Sequence, residues 1–215
     1  MKSIHINNNH PSTLTSIRNH MLEYLLIFSC DEVTKAHITG VKEFFERRYG
    51  CKFAANLTPH MTVMQCIIHE SKIDRVIQGC RKVAEISAPF NMELDGFNKY
   101  DHGTMYVDVA DAASEKIIAI VKKLKADIDK HIQQWSPAEH EYCKDPHYTI
   151  ARNMTDKQME QAWFEWRYQQ FSASFHVNEM QLLRRSLIKG DKFQIVERFP
   201  LKGLTGVEFV QGALF

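Results

Sequence analysis

Pro59-His60-Met61-Thr62-Val63 and Pro146-His147-Tyr148-Thr149-Ile150 repeat one pattern, Pro-His-apolar-Thr-apolar, in the two halves of a 215-residue chain. With this chain's own residue frequencies roughly 0.003 chance matches are expected, so the pair reads as a duplication. Along a strand, side chains alternate faces and residues two apart stand together about 6 to 7 Å from each other. His60 and Thr62 therefore share one face, as do His147 and Thr149. Met61, Val63, Tyr148 and Ile150 take the other face and can pack beneath a helix. An approximate two-fold relation between the halves brings both His/Thr faces onto one cleft.

Two imidazoles flanking one phosphate divide the work of proton transfer. One, neutral, takes a proton from water or a ribose hydroxyl; the other, protonated, gives one to the departing oxygen. The threonine hydroxyls can hydrogen-bond the nonbridging oxygens. This chemistry asks for no metal and no cofactor.

Outward from the two motifs, short apolar runs alternate with amphipathic stretches, as in an α/β or α+β protein. YLLIFS (24–29) reads as a buried strand. Asp31 caps a helix over 32–49 with Val33, Ala36, Gly40, Val41, Phe44 and Phe45 inward and Gly50 as its stop. A strand over 60–68 follows, then a helix opened by Ser71 with Ile73, Val76, Ile77, Cys80, Val83 and Ala84 as its core stripe. The runs 90–97 and 104–110 predict a hairpin around KYDHG. A long helix over 114–134, a polar loop over 135–146 and a strand over 147–152 come next. Thr155 with Gln158 predicts a capping box, and strand-like runs at 174–186 and 193–199 are joined by a turn at KGDK, 189–192. The second half echoes the first without a linker, which predicts one bilobal domain over 1–215. Residues 1–20 are expected to be peripheral or poorly ordered.

Composition narrows the partners. Lys plus Arg is 27 against 26 for Asp plus Glu, a net charge of +1 that excludes coating nucleic acid by bulk electrostatics but allows a local basic cleft. Five cysteines without a C-x-x-C pair suggest neither a disulfide framework nor a zinc ribbon. The N-terminal stretch lacks the apolar core of a secretory signal, and no segment reaches the ~20 apolar residues of a membrane span, so a cytoplasmic protein, monomeric and without an obligate protein partner, is expected.

The tetrapeptides HMTV (60–63) and HYTI (147–150) resemble the paired H-x-[TS]-apolar signature of the two-histidine (2H) phosphoesterase superfamily, and within it the 2',5' RNA ligase or RNA 2',3'-cyclic phosphodiesterase branch. The run FHVNEMQLLRRSLIKGDKFQIVERFPL is similar to the family's closing hairpin, so the likeness extends from about Tyr24 to Leu201. The resemblance implies a bilobal fold of two pseudo-symmetric lobes, with mainly antiparallel sheets around a central cleft and helices outside. It also implies hydrolysis of a 2',3'-cyclic phosphate, on an RNA terminus or a nucleotide, to a 2'-phosphomonoester, or reversible 2',5' bond formation. Its four catalytic positions carry over to His60, Thr62, His147 and Thr149, with His147 as the base that activates water and His60 as the acid.

Other positions are read on their own geometry. Arg152 matches an arginine often found after the second motif, but strand parity places it away from His147. Gln65 departs from the apolar or aromatic residue of many relatives. Tyr142, just before the second motif, is a candidate for stacking on a base. Arg184 is a candidate substrate-binding residue; of Arg184 and Arg185, only one can face the cleft in a regular strand. His5, His10, His20, His37, His131 and His176 have no paired pattern and receive no role. Two rival readings remain: a zinc site at His140, Cys143 and His147, which lacks a fourth nearby ligand, and a noncatalytic RNA-end or nucleotide-binding module that holds a 2'-phosphate without turning over a cyclic one.

Overall fold

The computed structural model describes residues 20–52, 57–136, 140–188 and 191–204. Along the chain run β1 (Met21–Ser29), α1 (Glu32–Tyr49), β2 (His60–His69), a 3-10 turn (Glu70–Lys72), α2 (Asp74–Glu85), β3 (Phe90–Tyr100), β4 (Thr104–Val109) and α3 (Asp111–Trp135). Then follow β5 (His140–Tyr142), β6 (His147–Ala151), α4 (Asp156–Trp166), β7 (Ser172–Val177), β8 (Glu179–Ser186) and β9 (Gln194–Pro200). The strands form two antiparallel sheets, ordered β5-β2-β1-β8-β9 and β6-β4-β3-β7, the mixed α+β architecture the alternating pattern predicts. No described helix is long and apolar enough to cross a membrane. The expectation for residues 1–19 and the glycine of the KGDK turn lie outside the described residues.

The sheets exchange chain at two places the sequence does not mark. The polar loop expected over 135–146 contains β5, which pairs with β2 (Met64 opposite Tyr142), so the chain leaves the first sheet only after Tyr142 and enters the second at His147. Three residues are too few to show a strand period. The run 174–186 is likewise two strands. It breaks at Asn178, with β7 on β3 in the second sheet and β8 on β1 in the first.

Helix α1 forms where expected: the Asp31 side chain accepts a hydrogen bond from the Thr34 amide, and Gly50 closes the helix at φ 74°. Its buried face differs from the expected stripe. Thr34, Ile38, Val41, Lys42, Phe45 and Tyr49 are buried, whereas Val33 is 78% and Phe44 38% exposed. The reason is tertiary: α1 packs on β6 and β7, strands of the other sheet. Its end is tied there by Gln158 Nε2 donating to the Tyr49 carbonyl (2.6 Å) and by Trp166 Nε1 donating to the Tyr49 hydroxyl (3.0 Å). The predicted capping box of α4 forms between Thr155 and Gln158. Ser71 falls in the 3-10 turn, and α2 begins only at Asp74.

Both motif strands carry a β-bulge at the residue after the threonine. On β2, Thr62 lies opposite Ile27 and Met64 opposite Leu26, so Val63 is the extra residue. On β6, Thr149 lies opposite Tyr106 and Ala151 opposite Met105, so Ile150 is the extra residue. A bulge shifts the facing of everything beyond it by one residue. Val63 and Met64 are both buried, as are Ile150 and Ala151, and the fifth residue after each histidine, Gln65 or Arg152, swings onto the histidine's face.

Candidate active site

The two sheets meet along β2 and β6 over a cleft of about 610 Å³, lined by His60, Thr62, His147 and Thr149 among others. The predicted convergence of the two His/Thr faces is thus present. Each imidazole is held in the same way: His60 Nδ1 lies 2.8 Å from the Thr58 carbonyl and His147 Nδ1 2.8 Å from the Asp145 carbonyl. In both cases the acceptor is two residues upstream, across Pro59 or Pro146. A residue before proline is confined to extended backbone, which gives the repeated proline its physical role: it aims that carbonyl back at the ring. A carbonyl can only accept, so Nδ1 carries the proton in the neutral ring and Nε2 is left for the cleft.

The surroundings differ in charge. Burial holds both histidines below the ordinary imidazole pKa, against the opposing effect of the carbonyl bonds. Around His60 the remaining influences, Lys42 and Arg152, are cationic and lower its pKa further. Around His147 the Asp145 and Asp108 carboxylates raise it, and Arg152 lowers it. The Tyr100 hydroxyl oxygen lies 3.2 Å from His147 Nδ1 and donates its own proton to the Asp145 carboxylate. His147 is therefore the ring better prepared to carry positive charge.

Residues beyond the motifs also bear directly on the site. Lys42, on α1, is 3% exposed and lines the cleft, its Nζ donating to the Leu57 carbonyl at 2.9 Å. Burial, then the Arg152 charge, pushes its pKa down to about 8. The available signal is a lysine beside Ile38, Val41 and Phe45 on a helix face. Arg152 lines the cleft because of the Ile150 bulge, correcting the parity reading, and its charge acts on Lys42, His60 and His147 alike. Tyr100 and Asp145 meet across 45 positions of sequence, and no local pattern announces that pairing.

The expected substrate-binding residues fare differently. Arg184 is not at the cleft: it sits opposite and beside Tyr24, on the other face of the first sheet. Arg185 takes the cleft side, its Nε donating to Glu23 Oε2 at 2.6 Å, with Glu23 also accepting from Gln65 Nε2 at 2.9 Å. Tyr142 lines the cleft but is only 8% exposed, locked into β5 with its hydroxyl beside Asp129. It forms wall rather than a free stacking face. The zinc alternative is not assembled: His140 turns to the Ser136 carbonyl (3.0 Å) and Asp129, and no metal-binding cluster occurs among the described residues. Of the unassigned histidines, His37 stacks on Phe171 and His131 bonds the Lys72 carbonyl.

Comparison with known proteins bears on the family and the fold. The family model described as the 2'-5' RNA ligase superfamily matches residues 31–188. No curated protein gives a significant sequence match. Among solved structures, TT0787 of Thermus thermophilus is similar with a TM-score of 0.62 and 18% identity, covering 84% of this chain and 98% of that one. E. coli LigT complexed with 3'-AMP is similar with a TM-score of 0.61 and 13% identity, with the same coverage of both chains. At such identities the structural likeness speaks for the fold alone. With the family model spanning more than half of the chain and the duplicated histidine motifs facing one cleft, the protein belongs to the 2'-5' RNA ligase superfamily of 2H phosphoesterases.

Proposed function

We propose that the protein is a metal-independent phosphodiesterase that opens a ribose 2',3'-cyclic phosphate to a 2'-phosphomonoester. The observation that carries this reading is the matched pair of imidazoles, each with Nδ1 committed to a backbone carbonyl and Nε2 left for one shared cleft. In the proposed reaction His60 Nε2 takes a proton from water as its oxygen attacks phosphorus. The bond from phosphorus to the 3' oxygen breaks, and His147 Nε2 gives its proton to that oxygen, leaving a 3' hydroxyl. Thr62 and Thr149 donate hydrogen bonds to the nonbridging oxygens, with Arg152 and Lys42 supplying positive charge. The assignment reverses the one implied by resemblance. Its support is the carboxylates beside His147 and the cations beside His60.

The direct test is purified protein with a nucleoside 2',3'-cyclic phosphate in excess chelator, with phosphorus NMR to identify the product. The 2'-phosphomonoester is expected. Loss of turnover in chelator with recovery on adding a divalent ion overturns metal independence, and tight binding without turnover returns the protein to a nucleotide-binding module.

The pH dependence follows from the same assignment. A base must be neutral, so activity falls as pH drops through the His60 pKa; an acid must be protonated, so activity falls as pH rises through the His147 pKa. Both values are lowered by burial. The bell in kcat/KM, which reports the free enzyme, is therefore expected to centre on the acid side of about 6.5, the ordinary histidine value. A bell centred well above that value, with chemistry rate-limiting, contradicts the site's electrostatics.

A further inference from the structure

The reacting groups occupy one end of the cleft, and a second polar constellation occupies the other. Glu23, 7% exposed, holds Gln65 Nε2 through one oxygen and Arg185 Nε through the other. Arg185 lies with its guanidinium carbon 4.4 Å from the centre of the Phe193 ring. Held by its Nε edge and lying over the Phe193 ring, the guanidinium has no hydrogen-bond partner at either Nη group among the described residues. Its side chain is 35% exposed, and both Arg185 and Phe193 line the cleft. A pre-oriented, partly exposed arginine fork with open donors suits a phosphodiester oxygen and the base beside it.

Strand register gives the separation. On β1, Ser29 is level with His60 and Glu23 is level with Arg185. That is an offset on the order of 20 Å along the strand before side chains reach inward. The distance exceeds one nucleoside measured from its cyclic phosphate to the far edge of its base. A mononucleotide seated on the histidines leaves the Arg185 end unfilled.

Resting on the reaction proposed above, we propose that Arg185, braced by Glu23 and Phe193, binds the nucleotide preceding the terminal one. The preferred substrate is then an oligonucleotide end and not a free cyclic mononucleotide. The experiment compares kcat/KM for a nucleoside 2',3'-cyclic phosphate with those for a dinucleotide and a trinucleotide ending in the same group. The unmodified protein is expected to favour the oligonucleotides at least tenfold. Arg185→Met reduces that ratio about tenfold, and Phe193→Leu, which leaves Glu23 paired, reduces it several-fold. Equal turnover of all three substrates overturns the proposal, as does a ratio preserved in both variants. If Arg185→Met fails to fold, the Phe193→Leu ratio decides. Calorimetric binding of 2'-phosphorylated mono- and dinucleotides makes the same comparison without turnover. A dinucleotide advantage there that disappears in the variants, with no cyclic phosphate ever hydrolysed, retains this subsite and removes the reaction.

Discussion

His60→Ala and His147→Ala are each expected to lower kcat/KM for a 2',3'-cyclic phosphate by about 100- to 10,000-fold, the range for loss of a positioned acid or base. The fold should survive both changes. Each ring lines the cleft, and the carbonyl that its Nδ1 faces can be satisfied by water in the variants, so melting temperature and far-ultraviolet dichroism should be nearly unchanged. The double variant should lose much less than the product of the two effects, because the histidines act as a unit. Thr62→Ala and Thr149→Ala remove one hydrogen bond each and should cost a few-fold to about tenfold. A substrate whose leaving group needs no proton separates the roles. It should rescue His147→Ala, which lacks the acid, and leave His60→Ala inactive. The opposite rescue restores the assignment implied by resemblance, and full activity in either alanine variant removes the two-histidine mechanism altogether.

The duplication, the four motif residues and most element boundaries were legible because they rest on local rules: strand alternation, an aspartate cap before α1, a glycine after it, and a capping box at Thr155. What stayed hidden depended on where elements pack. The buried face of α1 is set by its placement on β6 and β7 in the opposite sheet, so Phe44, apolar and in phase with the expected stripe, ends 38% exposed while Lys42 goes inside. Strand alternation is regular through Thr62 and Thr149 and breaks one residue later at Val63 and Ile150. Nothing in the residue types at Val63 or Ile150 signals a bulge. Yet the bulges put Gln65 and Arg152 at corresponding places in the cleft, five residues after each histidine. The pseudo-symmetry therefore extends past the motif, but with an amide at one position and a guanidinium at the other; the Arg152 charge acts on both histidines, and Lys42 adds a second cation beside His60. Tyr100 with Asp145 adds a second asymmetry, on the His147 side. The proposed reaction asks for such a difference, since two identical imidazoles give no preferred donor and acceptor.

Lys42→Met is expected to make the protein more stable and less active. A lysine whose pKa falls from 10.5 to about 8 on folding is a charge held in the interior at a cost of about 3 kcal/mol at neutral pH, where both folded and unfolded chains carry the proton. Between pH 8 and 10.5 the unfolded chain binds more protons than the folded one. Stability therefore rises with pH across that window as the buried amine becomes neutral. Methionine keeps most of the side-chain volume and removes the penalty, giving up the bond from Nζ to the Leu57 carbonyl. The net gain should be about 1 to 3 kcal/mol, or about 2 to 12 °C in Tm for a chain of this size. The rise in stability above about pH 8 should be lost with it. Activity should fall about 10- to 100-fold, because the proposed reaction loses the buried cation beside His60. The acid limb of the pH profile should also move to higher pH, since Lys42 no longer opposes protonation of His60. Thermal melts at about pH 7 and pH 10, on either side of the lysine transition, with kcat/KM across the acid limb, read all three effects on one pair of proteins. A variant that melts lower yet turns over substrate normally makes Lys42 a packing residue; one that is both stabler and impaired shows a site held at the expense of the fold.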